Sequence, residues 1–500
     1  MSVIGNTLYS DNALVIISGM KSASAVVKAP LKALNKSIPV FIRQIIDIIK
    51  GTGSTESETA QTAFKSLAII MRDCSTAQVK ETDLVYILEL LSPDLEEPSR
   101  QAAVFAMLRA IVARKFVVPE IYDVMDKVSE VMVTNQSKQV QELCRSVLLQ
   151  FLLDYPQGKG RLRNQMTFMT KNLSYTYESG RKSVMELLSV ILAKFQIGLV
   201  REYADLLFVG LVMVIANDDS AKCREMAADL IKSLILRLDD AHRKTIVSHL
   251  HSWALQEAQP QLGRVASQVY GLFVDVLQED SALYTTAILE DVAKALERSK
   301  QAFESSAEDD EDTENELDWQ AAYHALIVQS KILRIFPDLA TEADTLDWDI
   351  VIAHLLFPHA WVRSTSCRLL GLLLTAVPIA APSSNLPLTS PFSSLGMRTL
   401  AEKLSIQLKS EHLDATLALQ IVKNLLYIGK CFYAVEIVGP SQNEDIPKEI
   451  EASDDEGEPL DLVEDTKDRN PLPWMFSKLS YQARSAHINR RNRKTSGVSV

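Results

Sequence analysis

The side chains of this 500-residue chain best equipped for chemistry are cations. Lys159, Arg161 and Arg163 fall in Tyr-Pro-Gln-Gly-Lys-Gly-Arg-Leu-Arg (155–163), which reads as the most basic loop between its helical segments. Lys171, Arg181 and Lys182 follow closely. Such side chains grip phosphate oxygens by charge and hydrogen bonding, a contact that gives affinity without reading base sequence. Tyr175 and Tyr177 add two rings on which an unpaired base could stack. A second basic run, Arg490, Arg491, Arg493 and Lys494, has the composition of an RNA-contact or nuclear-import patch. Each feature has a plainer reading: a solvated turn, a packed tyrosine pair and a chance match.

Reaction chemistry finds little footing. There is no Gly-rich phosphate loop, no His-Glu-x-x-His and no Gly-x-Ser-x-Gly elbow. His249 and His251 are two residues apart, about 200° around a helix axis, a poor pair for one metal ion. His354 and His359 flank Pro358 and suggest nothing catalytic. The five cysteines (Cys74, Cys144, Cys223, Cys367, Cys431) form no Cys-x-x-Cys pair. Cys144, Cys223 and Cys367 read as small core residues near helix starts, which suits a reducing compartment. The carboxylates crowd into runs and helix caps, where no fixed geometry tunes them. The expectation is a protein with no catalytic, cofactor-binding or metal-binding residues, not an enzyme.

The elements that would carry the cations show best in residues 217–238. Asp218, Asp219 or Ser220 can cap a helix there. Met226, Ala227, Leu230, Ile231, Leu234, Ile235 and Leu238 then form a stripe at steps of three and four, opposite Lys222, Glu225, Asp229, Lys232 and Arg237. Before them, 206–216 is an unbroken apolar run, read as a helix buried on most sides. The unit recurs. A polar residue leads to a small or apolar one three places on at Arg100 and Ala103, Gln141 and Cys144, Arg181 and Val184, Arg224 and Ala227, and Arg264 and Ser267. These markers are 41, 40, 43 and 40 residues apart. Gln61 fits more weakly one step earlier, and Arg363 leads to Ser366 further on. A period near forty with two helices per unit marks a HEAT or armadillo array, in which the small residue lets neighbouring helices close up. The fold class expected is all-α, a HEAT/armadillo-type α-solenoid with disordered acidic inserts. Arg100, Arg181, Asp219, Arg224, Arg264, Trp361 and Arg363 are its expected framework residues.

Charge is unevenly placed. Residues 304–316 hold eight acids and no base, and 444–468 hold twelve acids and two lysines. Against a net charge of −12, removing both leaves the rest at +6, compatible with an RNA partner. The uncharged stretch 369–397 contains Pro378, Pro382, Pro387 and Pro391, which rules against a spanning helix. The layout read along the chain is a helical segment at 1–57, HEAT-like repeats at 58–300, and a disordered acidic insert at 301–316. Further repeats follow at 317–433 with a Pro/Ser loop at 378–396, then an acidic linker at 434–470, a helix at 471–485 and a basic tail at 486–500.

Several strings carry a more specific likeness. Phe-Leu-Leu-Asp-Tyr-Pro-Gln-Gly-Lys (151–159), Asn-Leu-Ser-Tyr-Thr-Tyr-Glu-Ser-Gly-Arg (172–181), Asn-Asp-Asp-Ser-Ala-Lys-Cys (217–223) and His-Ala-Trp-Val-Arg (359–363) are among them. So is Pro-Trp-Met-Phe-Ser-Lys-Leu-Ser-Tyr (473–481). Together they resemble a C-terminal portion of the family of small-subunit processome component twenty. This is the U-three snoRNP-associated, or down-regulated-in-metastasis, family of HEAT-repeat proteins. The resemblance implies a non-catalytic nucleolar scaffold that binds pre-ribosomal RNA, the U-three snoRNP and other processome proteins. It would support small-subunit rRNA processing, with no membrane and no small-molecule substrate. Lys159, Arg161, Arg163, Lys171 and the four tail cations are the candidate RNA contacts from residue type. The alternatives are an importin-type transport receptor, which also uses HEAT arrays and acidic loops, and a protein-only HEAT adaptor.

Overall fold

The computed structural model describes residues 1–29, 31, 34–256, 258–306, 318–342, 345–377, 394–409 and 413–438. These are helical with short connections, and they fall into two compact units, 1–246 and 247–500. The expected linker, terminal helix and basic tail from residue 439 onward lie outside the described residues, as do 307–317 and 378–393.

The first unit runs α1 (Ser2–Thr7), α2 (Ala13–Val26), α3 (Leu34–Thr52), α4 (Glu58–Asp73), α5 (Glu81–Leu91), α6 (Gln101–Arg114) and α7 (Glu120–Thr134). It continues through α8 (Lys138–Asp154), α9 (Lys159–Asn172), α10 (Glu178–Lys194), α11 (Ile197–Glu202), α12 (Ala204–Asn217), α13 (Ala221–Leu236) and into α14 (Asp240–Ala254). One row of helices forms its spine: α2 packs on α4, α4 on α6, α6 on α8, α8 on α10, and α10 on α13. A second layer, including α5, α7, α9 and α12, covers it. The second unit repeats the scheme with α15 (Pro260–Leu277), α16 (Thr285–Ser306), α17 (Trp319–Ile335), α18 (Trp348–Ala353), α19 (Ala360–Ala376), α20 (Ser394–Gln407) and α21 (Ala415–Val438). Its spine is α15, α17, α19 and α21. Stacked helix pairs that each bury an apolar face against the next pair make this an all-α solenoid of HEAT/armadillo type.

The marker pattern has a structural cause. The small residue of each pair is fully packed: Ala103, Cys144, Val184, Ala227, Ser267 and Ser366 are all nearly inaccessible. Burial pushes the thiols of Cys144 and Cys367 up to about 12, which leaves them as packing groups. The polar residue three places earlier turns back onto the connection before its helix. Gln141 donates to the Asn135 carbonyl at 2.8 Å, Arg181 to Tyr175 and Thr176 at 2.9 and 3.0 Å, and Arg224 to Asp218 and Asp219 at 2.5 and 3.0 Å. Arg363 does the same to Phe357 at 2.8 Å and to Pro358. These carbonyls leave the preceding helix without intrahelical partners, and a long donor five or six residues on satisfies them. Arg100 uses a carboxylate instead, bonding Asp94 at 2.7 Å and Glu56 at 2.9 Å. Arg264 lies 3.8 Å from Asp318.

A second set of bonds joins consecutive turns of the first unit at helix C-termini. Arg114, at the end of α6, donates to the Cys74 and Ser75 carbonyls past α4. The Tyr155 hydroxyl, past α8, donates to Phe116 at 2.7 Å, and Arg237, past α13, donates to Leu192 and to Phe195 at 2.6 Å. Of the three cap candidates before α13, Ser220 takes the part: its Oγ accepts the Cys223 N–H at 3.3 Å. Asp218 instead accepts the Ser220 N–H at 2.8 Å and holds Arg181.

Three expected boundaries move. α16 continues through Ser306, past residue 300, because Phe303 packs on Phe357 with ring centres 5.5 Å apart. α20 begins at Ser394 and α21 runs to Val438, each a few residues into stretches expected to be loop or linker.

Candidate nucleic-acid interface

The basic stretch expected as a loop is mostly helix. Only 155–158 connect α8 to α9, and Gly158 stands at the N-cap of α9 with Lys159, Arg161 and Arg163 in its first turns. The last turn carries Lys171, and α9 contains no acid. Cations at a helix N-terminus oppose the macrodipole, so α9 owes its place to packing. Leu162, Met166 and Met169 are buried beneath it, while Arg161, Arg163 and Lys171 face solvent.

The three described cations are not equivalent. The Arg161 guanidinium lies 3.6 Å from the centre of the Tyr122 ring, a cation–π contact. Tyr122 is itself fixed: its hydroxyl donates to the Pro156 carbonyl at 2.8 Å, and its ring meets Phe151 and Tyr155 edge-on. Asp126 on α7 also feels Arg161; burial holds its carboxyl above the ordinary range, and Gln165 donates to it at 2.5 Å. Arg161 is therefore partly committed to the fold. Arg163 and Lys171 form no ion pair among the described residues. The side chain of Lys159 and the run Arg490, Arg491, Arg493 and Lys494 lie outside what is described.

Arg181 and Lys182 do not join this patch, which corrects their grouping with it. Arg181 is buried against Asp218, with Nε 2.7 Å from Oδ2 and Nη2 donating to Oδ1 at 2.8 Å, while Nη1 serves the Tyr175 and Thr176 carbonyls. A guanidinium with every edge occupied inside the fold has nothing left for a phosphate. Lys182 pairs with Glu178 at 2.5 Å; that bond first, then one from Ser220, holds the Glu178 carboxyl below its usual range. The tyrosines separate in the same way. Tyr175 packs under Gly180, where a Cβ would come within 2.6 Å of its ring and 2.4 Å of the Val133 carbonyl oxygen. Tyr177 is 58% exposed, its ring 5.9 Å from that of Tyr175, and is open for stacking.

In the second unit, Trp361 is 58% exposed and joins a ring cluster rather than the core. Trp319 lies 5.3 Å from it, and Trp319 stacks on His359 at 3.8 Å. His359 caps α19 through Nδ1, which accepts the Trp361 N–H. His251 does not pair with His249. It bonds Asp291 at 2.8 Å, and the same buried carboxylate accepts the Tyr270 hydroxyl at 2.7 Å. Among the described residues no three or more His, Cys, Asp or Glu side chains gather as a metal site. No described helix is long and apolar enough to cross a membrane.

Helix pairs stacked so that each buries a face against the next define the HEAT/armadillo class of repeat protein. No family model matches the chain. Two curated relatives do: U3 small nucleolar RNA-associated protein 20 of Schizosaccharomyces pombe is 33% identical over 441 residues, 87% of this chain. Its namesake in Saccharomyces cerevisiae is 31% identical over 426 residues, 85% of this chain. The chain belongs to the family of U3 small nucleolar RNA-associated protein 20, and spans 17% and 16% of the length of these two relatives. Among solved structures, Kap121p bound to Pho4p shares 15% identity at a TM-score of 0.42, over 87% of this chain and 46% of that one. Kap95p bound to RanGDP shares 11% at 0.40, over 88% and 57%. Likeness at that level decides nothing about this chain.

Proposed function

We propose that this chain is part of a non-catalytic scaffold for ribosome biogenesis. In this reading it binds pre-ribosomal RNA, the U-three snoRNP and neighbouring assembly factors of the small-subunit processome in the nucleolus. The observation that carries the reading is the 33% identity over 441 residues to a protein named for its association with U3 small nucleolar RNA. The physical form suits the role. Stacked helix pairs offer a long surface on which many weak contacts sum, and α9 presents Arg163 and Lys171 to solvent with no acid on the same helix. The transport-receptor alternative is not favoured, since both curated relatives are named as U3 small nucleolar RNA-associated proteins.

The test is crosslinking followed by purification of the full-length protein from cells and sequencing of the RNA it carries. The expected result is enrichment of U3 snoRNA and the small-subunit precursor, with crosslinked peptides inside residues 58–438. Recovery of a transport GTPase and its cargo, without pre-rRNA, would overturn the reading.

A further inference from the structure

We propose that a groove between α17, α19 and α21 in the second unit binds the phosphate backbone of an RNA strand. The inference rests on the RNA-scaffold reading above and names a site for it that residue type alone did not suggest.

The groove has a volume of about 630 Å³ and is lined by Arg334 from α17, Arg368 from α19, and Lys423 and Lys430 from α21. No acid lines it. All four cations are exposed, and none makes an ion pair or hydrogen bond with another described residue. The Asp414 carboxylate feels Arg368 but is engaged in capping α21, accepting from Thr416 and from the Leu417 N–H at 2.7 Å. The uncharged polar groups are already spent on the fold. Asn424 donates to the Cys367 carbonyl at 3.0 Å, Gln420 donates to Asn424 at 2.9 Å, Thr375 donates to Gly371 at 2.7 Å, and the Tyr427 hydroxyl donates to Val377 at 2.5 Å. Four positive charges are therefore held on a floor whose uncharged polar groups are bonded within the fold.

That floor is firm because α21 lies hard against α19. Gly371 leaves room for the side chains of α21: a Cβ there would fall 2.3 Å from Gln420 Nε2 and 3.2 Å from Asn424 Oδ1. Lys423 and Lys430 are seven residues apart on one helix, about 10 Å along its axis. Cations spread over that distance and over three helices suit a run of phosphates better than one anion. Tyr427 contributes its hydroxyl inward to Val377, so the groove offers no free ring for base stacking. Its contact is with the backbone, independent of sequence and strongly dependent on salt.

The experiment uses the whole chain and a fluorescein-labelled mixed-sequence single-stranded RNA, with anisotropy titrations over a series of potassium chloride concentrations. The double variants Lys423→Gln with Lys430→Gln, and Arg334→Gln with Arg368→Gln, are compared with wild type. Lys423→Arg with Lys430→Arg serves as the charge-preserving control, and circular dichroism confirms that each variant folds. Each neutral double variant is expected to weaken binding and to reduce the slope of log affinity against log salt by about 1.4, two contacts at about 0.7 each. The arginine control keeps the wild-type slope. If wild type binds RNA and the neutral variants keep both affinity and slope, the groove is not the site, and the proposal falls while the scaffold reading stands. If wild type binds no RNA, both fall together. Displacement of the RNA by polyglutamate of equal charge, at equal concentration and through the same four residues, would identify an acidic polypeptide as the occupant and overturn the RNA assignment.

Discussion

Two buried groups show how much a single side chain decides. Asp291 is almost fully enclosed, and Tyr270 and His251 both bond to it. Asp291→Ala would leave the Tyr270 hydroxyl buried with no acceptor, at a cost of about 1–3 kcal/mol. A urea titration followed by circular dichroism is expected to show a lower midpoint, and Asp291→Asn is expected to recover part of the loss. His324 gives a pH signature. Burial, then the charges of Arg264 and Lys331, lowers its pKa from 6.5 to about 4, with Asp318 pulling the other way. The unfolded chain takes up this proton first as pH falls. The stability that neutral His324 contributes is thus fully present above pH 6.5 and is lost on the way down towards pH 4. The loss amounts to about 3 kcal/mol over the window, with about 2 kcal/mol already gone at pH 5. His354 and His359 shift the same way, so the decisive quantity is the difference between wild type and His324→Gln. That variant is expected to flatten the fall between pH 7 and pH 5, and an unchanged slope would refute the assignment.

At the scale of elements, contacts between neighbouring helices tolerate little added volume. Gly180 at the start of α10 faces the main chain at the end of α7, and the 2.4 Å from a built Cβ to the Val133 carbonyl oxygen leaves no flexible atom to yield. Gly180→Ala is expected to destabilise the first unit by about 2–3 kcal/mol, within the range seen for overpacking, read as a drop in thermal midpoint. The markers were legible in sequence because their cause is local. A donor at 141, 181, 224 or 363 reaches carbonyls five or six residues back, so residue type and helix start travel together. What stayed hidden depends on distant partners. Arg161 reads as a free cation until Tyr122 is brought beneath it from 39 residues away. The helical start at Lys159 is unannounced by any capping side chain. The groove of Arg334, Arg368, Lys423 and Lys430 gathers residues from three helices, and no local spacing marks it. The ladder of Arg114, Tyr155 and Arg237 escaped for the same reason, since each donor finds its acceptor about forty residues earlier.

At the scale of the whole molecule, each unit is a stack in which a helix pair touches only its neighbours, and neither has a single core to lose. Disruption should stay near its source. Hydrogen exchange read by mass spectrometry on Gly180→Ala is expected to show faster exchange in α7, α8 and α10, with protection in α17 and α19 unchanged. Uniform loss of protection along the chain would contradict this nearest-neighbour description. The clamps carry one more consequence. Gln141, Arg181, Arg224 and Arg363 all bond to main-chain oxygen, which every amino acid supplies alike. The path of each turn is thereby fixed through its backbone, whatever side chains it carries. Those side chains are left to tie one repeat to the next, as Asp218 does in holding Arg181.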